Sequence, residues 1–229
     1  PAEMDDWTHY DHGPEGNPQS HDSLVADVKG LQWWVSGHGS AVTTTRLAGG
    51  RRFQGVKRSG PYVGWEQTYQ ARDAFNGLPL WRIDPQKDLF QYYRHHDRLI
   101  AANDDVIVGL FKAPGFADIL DARTGNRKVE LSEGLRIEEN FKQVLKTTPL
   151  LELHHVLIED RVLQAMGKEV LCLDIGTGKR QWAYQTPADS HVAYLAVDKD
   201  VCVIGTTPVN RRFNITYGNY ICRLGSLIA

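Results

Sequence analysis

The chain has 229 residues, 41% apolar and 24% charged. This is ordinary globular composition, enough for one large domain or two small ones and unlike a disordered or collagenous chain. Lysine plus arginine number 26 against 28 aspartates and glutamates, a net charge of -2, so nothing electrostatic calls for nucleic acid or an anionic membrane as partner. No apolar run approaches the ~18 residues of a membrane-spanning helix. Cys172, Cys202 and Cys222 are too few for a dense disulfide framework, and no C-x-x-C-H motif is present to attach a c-type haem.

Residues 1–30 are polar and turn-rich, with His9-Tyr10-Asp11-His12-Gly13-Pro14 followed by Glu15-Gly16-Asn17-Pro18. They predict an extended arm rather than a helix or strand. The chain opens on Pro1, not Met, as expected where a leader has been removed or where the chain is a piece of a longer one. His9, Asp11 and His12, with His21 beyond them, are metal-ligand residue types and form the candidate metal set, although arms of this composition are usually solvated turns. Further on, Arg46, Arg51, Arg52, Lys57 and Arg58 alternate with Gly49, Gly50, Gly55 and Gly60. This stretch reads as a flexible basic loop, with anion binding as the sharper alternative.

From there a phrase recurs. Asp73-Ala74-Phe75-Asn76-Gly77-Leu78-Pro79-Leu80-Trp81, Asp121-Ala122-Arg123-Thr124-Gly125-Asn126-Arg127-Lys128-Val129 and Asp174-Ile175-Gly176-Thr177-Gly178-Lys179-Arg180-Gln181-Trp182 share D-x-x-[TN]-G-x-x-x-[WV]. Their aspartates lie 48 and 53 residues apart. The physical reading is a hairpin. Asp accepts backbone hydrogen bonds in a turn, Gly supplies a positive φ, and the next strand carries a large apolar residue four positions on. Trp33, 48 residues before Trp81, extends the series backwards.

The flanks are short apolar strands. Residues 98–102 and 106–111 surround Asn103-Asp104-Asp105; residues 153–158 and 161–166 surround Glu159-Asp160; residues 192–197 and 201–204 surround Asp198-Lys199-Asp200. His95-His96 and His154-His155 precede strands at similar points of consecutive units; neighbours on a strand face opposite ways, so neither pair makes a bidentate ligand set. One stretch breaks the pattern: Ile137, Phe141, Val144 and Leu145 share one helical face within 136–146, predicting a short inserted amphipathic helix. Gly176-Thr177-Gly178-Lys179 lacks the full phosphate-loop motif and reads as a hairpin turn. Cys172 and Cys222 fall on matching strands of neighbouring units, too far apart for a disulfide, and no Ser-His-Asp set emerges from the spacing.

A period of about fifty residues with about four strands per unit is the pattern of an all-β propeller. The expected organisation is an arm over 1–30 and repeats over 34–81, 82–129, 130–182 and 183–229. The fourth unit stops where its own Asp turn should begin. Four units close as a small ring or make half of a larger one, and the abrupt end favours half a ring. An open edge would demand a partner through strand addition.

The motif D-x-x-[TN]-G-x-x-x-W resembles the tryptophan docking repeat of quinoprotein-type propellers, the proteins with pyrroloquinoline-quinone (PQQ)-like repeats, and 173–182 matches it best. Asp6-Trp7-Thr8-His9-Tyr10-Asp11-His12-Gly13, with Asn17-Pro18 and Ser20, is similar to the start of exported PQQ-like repeat proteins of planctomycete type. The resemblance implies that Trp33, Asp73, Gly77, Trp81, Asp121, Gly125, Asp174, Gly178 and Trp182 hold neighbouring blades together and are not catalytic. It also implies a periplasmic or extracellular location. The second repeat carries Val129 where Trp is expected, and no two cysteines are adjacent, unlike the vicinal pair of quinoprotein dehydrogenases. No catalytic or cofactor-binding residue is therefore carried over.

The leading expectation is a non-catalytic subunit for protein binding or scaffolding, its partner another chain or a copy of itself completing the propeller. One alternative is part of a quinoprotein-like oxidoreductase, the one reading in which PQQ and calcium enter. The other is a propeller that binds a carbohydrate or other small molecule in its central channel.

Overall fold

The computed structural model describes residues 5–9, 12–17, 19, 40–60, 64–83, 86–87, 100–111, 115–136, 153–188, 190–198, 201–208 and 227–228. Trp33, Asp11, His21, His95-His96, all of the expected helix beyond Arg136, and Cys222 with its strand lie outside these residues.

The described chain is all-β and falls into four antiparallel sheets in sequence order. The first contains β1 (Ser40–Ala48), β2 (Arg51–Gly60), β3 (Gly64–Asp73) and β4 (Pro79–Arg82), with the short β5 (Gln86–Lys87) also paired to β3. The second contains β6 (Ile100–Ala102), β7 (Val106–Gly109), β8 (Asp118–Asp121) and β9 (Arg127–Glu130). The third runs β10 (His154–Ile158), β11 (Arg161–Met166), β12 (Glu169–Asp174) and β13 (Arg180–Gln185). The fourth shows β14 (Ser190–Asp198), β15 (Val201–Pro208) and the two-residue β16 (Leu227–Ile228).

Burial changes from the first to the last strand of a sheet. β6 and β7 are buried throughout, as are the centres of β10, β11 and β12, whereas β9 and β13 are mostly exposed. Continuous runs such as Val106-Ile107-Val108 and Val170-Leu171-Cys172-Leu173 explain this. With no polar face, such a strand is stable only when other sheets cover both of its sides. One core joins the first three sheets through Phe53, Tyr69, Ile107, Ile119, Leu157 and Leu173. A second joins the third and fourth through Val156, Leu163, Val192 and Ile204. The inner strands stand side by side, β1 beside β6, β6 beside β10 and β10 beside β14. Among the described residues no comparable contact joins β14 back to β1.

The three repeated phrases form one turn three times. Asp73 Oδ1 accepts from the N–H of Phe75 and Asn76 at 2.9 and 3.0 Å. Asp121 Oδ1 accepts from Arg123 and Thr124 at 3.0 and 2.9 Å, and Asp174 Oδ1 from Thr177 at 2.7 Å. Gly77, Gly125 and Gly178 follow with φ of 73°, 72° and 72°, a left-handed conformation that a Cβ would disfavour. Trp81, Val129 and Trp182 then pair with Ala71, Ile119 and Cys172, each beside a β-bulge. The extra residue is Leu80, Lys128 or Gln181, and in the first two sheets the bulge re-aims the apolar side chain toward the next sheet. Trp81 donates its Nε1–H to Ala122 O at 3.0 Å and lies against the flat surface of Gly125, where a Cβ would come within 2.7 Å of the indole. Val129 meets Gly178 in the same way.

The basic stretch is not a loop. Arg46 lies on β1, Arg51, Arg52, Lys57 and Arg58 lie on β2, and Gly49-Gly50 (φ 54° and 69°) turns between them. Two positive-φ residues match the right-handed twist of a hairpin. Arg46 is 3% exposed, with its Nε–H donated to Ile100 O at 2.9 Å, so its guanidinium ties the first sheet to the second.

Candidate functional site

The inner strands expose one backbone edge each, and that edge is where the chain's polar chemistry gathers. In an antiparallel ladder alternate N–H groups point away from the paired strand. One such group sits at the same register in every sheet. Leu47, Ala102, Leu157 and Val197 face Arg52, Ile107, Val162 and Cys202 respectively, each one pair before its hairpin closes.

The amino-terminal arm supplies the acceptors. Leu47 N–H donates to Trp7 O at 2.7 Å, Ala102 N–H to Thr8 O at 3.0 Å and Val197 N–H to Pro14 O at 2.8 Å. Leu157 N–H donates to the His9 Nε2 ring nitrogen at 2.8 Å. Between these contacts the arm folds on itself: Thr8 and His9 both donate to His12 O, at 2.9 and 3.0 Å, and Gly16 donates to Gly13 O at 3.1 Å. Tyr194 of β14 donates its hydroxyl to Gly16 O at 3.3 Å.

His9 and His12 are the two residues of the expected metal set that the structure describes, and both are buried. His9 Nδ1 lies 2.8 Å from Thr8 Oγ1 and its Nε2 takes the Leu157 N–H, so both ring nitrogens are engaged. Burial, and then the positive charge of Arg46, push its pKa down to about 3; the ring is neutral, as an acceptor of that N–H must be. His12 Nε2 lies 2.6 Å from Asp5 Oδ2 and its ring stands edge-on to Trp7 at 5.0 Å. Among the described residues, no three His, Cys, Asp or Glu are grouped to hold a metal ion.

Under the arm lies a cavity of about 30 Å³ lined by His9, Gly13, Pro14, His154, His155 and Tyr194, among others. That suits a water molecule; a quinone cofactor needs a site of roughly 300 Å³ or more. His154 and His155 both lie buried on β10, and Gln164 Nε2 and His155 Nε2 are 2.9 Å apart.

The outer turns differ among themselves. In the second and third sheets the exposed positions two after the Asp, one after the Gly and one before the bulky residue are Arg123, Asn126 and Lys128, and Gly176, Lys179 and Gln181. In the first sheet they are Phe75, Leu78 and Leu80, exposed by 45%, 62% and 45%. Sequence reading missed this asymmetry because it compared the constant positions of the phrase and not the variable ones. Trp182 is 39% exposed, unlike its half-buried counterpart Trp81.

No protein-family model and no curated protein matches the chain. Solved structures do. The quinohemoprotein alcohol dehydrogenase ADHIIG of Pseudomonas putida HK5 superposes with a TM-score of 0.55 at 16% identity, over 88% of this chain and 34% of that one. A europium-containing methanol dehydrogenase gives 0.50 at 17% identity, over 81% and 33%. The quinohemoprotein alcohol dehydrogenase of Comamonas testosteroni gives 0.50 at 16%, over 79% and 27%. The chain thus spans about a third or less of these proteins' length. At such identities the likeness is one of fold: the four sheets are blades of a β-propeller, as the repeated phrase predicts.

Proposed function

We propose that the chain is a non-catalytic protein-binding module of an exported assembly, with the outer turn of its first blade as the contact surface. The observation that carries this reading is the Phe75, Leu78 and Leu80 patch. The same turn is built twice more with polar residues or glycine at those positions, so its geometry does not require apolar ones. Exposed clusters of this kind mark interaction sites more often than chance placement does. The exported setting rests on the resemblance of the opening segment to exported PQQ-like repeat proteins.

Native mass spectrometry of the purified chain tests this, beside a variant carrying Phe75→Arg, Leu78→Asn and Leu80→Lys, the residues of the second blade. The expected result is a mass of two chains, or of this chain with another polypeptide, that falls to one chain in the variant. A single-chain mass at every concentration overturns the reading. An added mass of a quinone with a calcium ion overturns it in favour of an oxidoreductase part.

A further inference from the structure

We propose that residues 6–9 and 12–16 form a clasp that couples the four blades, and that the row of four inner-edge N–H groups is a binding site for a folded-back peptide arm, with this arm as its resident occupant. The inference stands apart from the outer-turn surface and does not need it.

Three observations carry it. The first is equivalence: Leu47, Ala102, Leu157 and Val197 occupy one register position in four successive blades, and the arm satisfies all four. The second is order: the acceptors Trp7, Thr8, His9 and Pro14 follow one another along the arm as the blades follow one another along the row. The third is chemistry. Three of the four acceptors are main-chain carbonyls, and side-chain identity enters through the His9 ring, Asp6 Oδ2, which takes the Gly49 N–H at 3.2 Å, and the close fit of Gly16 beneath the Tyr194 hydroxyl.

Because one segment touches every blade, the loss of one hook loosens the others. Amide hydrogen exchange measured by NMR on the full chain reads this directly. In the parent protein the four amides are expected to be protected together. His9→Ala removes the side-chain hook at Leu157, and is expected to speed exchange about tenfold or more at Leu47, Ala102 and Val197 as well as at Leu157. His9→Gln keeps an acceptor oxygen in reach and is expected to restore protection, which guards against reading a general loss of folding as a loss of the clasp. A synthetic peptide of residues 1–19, added to the His9→Ala protein, is expected to restore protection at all four amides, and a scrambled peptide to leave them unchanged. Faster exchange confined to Leu157, or unchanged at all four, overturns the clasp. Failure of the peptide to protect overturns the binding site.

Discussion

Replacing Gly178 by Ala should destabilise the protein far more than replacing Gly176 two residues earlier. Gly178 sits at φ 72°, and a Cβ there would lie 2.7 Å from Glu130 O and 2.9 Å from Val129 Cγ1 of the preceding blade. A left-handed alanine costs about 1–2 kcal/mol. Forcing a methyl group into a packed contact adds about 1–3 kcal/mol, and the nearest obstacle is backbone that no rotamer change can move aside. The sum is roughly 2–5 kcal/mol. For a chain of this length that lowers Tm by roughly 4–20 °C. At Gly176 the nearest atom to an added Cβ is Asp174 Oδ1 at 3.6 Å, and φ is not positive. There the smaller entropy of the unfolded chain makes Ala neutral or stabilising by up to about 1 kcal/mol. Urea denaturation of both variants, with the slope checked for constancy, gives the comparison. Equal effects, or a Gly178→Ala cost below about 1 kcal/mol, would refute the argument that blades pack through a side chain on a bare glycine.

Trp81→Ala loses the ring's contact with Gly125 and Phe53 and the bond to Ala122 O; an expected cost of about 2–4 kcal/mol, trimmed because the ring is only half-buried, is measurable by the same denaturation. His9 sets a pH window. Its folded pKa of about 3 lies below the ordinary 6.5, so between these values the unfolded chain binds the extra proton. Stability therefore holds above about 6.5 and declines as pH falls toward 3. His9→Gln should flatten that part of a Tm-against-pH curve, and an unchanged curve would count against a buried neutral ring. Burial pushes the Cys202 thiol up to about 11 and the Cys172 thiol upward as well. Iodoacetamide at pH 7 should then label neither in the folded protein and both in urea, as read by peptide mapping of the two positions; rapid labelling of either in the native protein would contradict this.

The blades were legible because their geometry repeats. An Asp, a Gly and a bulky residue at fixed offsets answer to a turn, a positive φ and a knob, and each need is local. The first hairpin was not legible in the same way. Its arginines suggested a basic loop, whereas Gly49-Gly50 between two extended stretches is a hairpin signal that charge obscured. Arg46 shows why composition misleads here: it is buried, and its guanidinium crosses between blades instead of facing water. Nor did His9 reveal its partner. Leu157 is 148 residues away in sequence, and no local pattern encodes a bond whose other half is a backbone N–H common to every strand.

The two contacts between blades have opposite chemistry for a reason that lies in the strands. Toward the outer edge each fourth strand is largely exposed, so neighbours there must be joined by side chains, and a knob on a bare glycine buries apolar surface with little loss of backbone freedom. At the inner edge the side chains are already spent on the two cores, and what remains unpaired is main chain. Leaving such N–H groups buried without acceptors costs about 1–3 kcal/mol each. A ring wide enough for solvent would hydrate them, and one with a narrow axis must find another acceptor. Here the acceptor is the chain's own arm, drawn across all four blades. The knobs act between neighbours, pair by pair, while the arm acts on the row as a whole. Damage to a knob should therefore weaken one junction, as with Gly178→Ala, and damage to the arm should be felt in every blade.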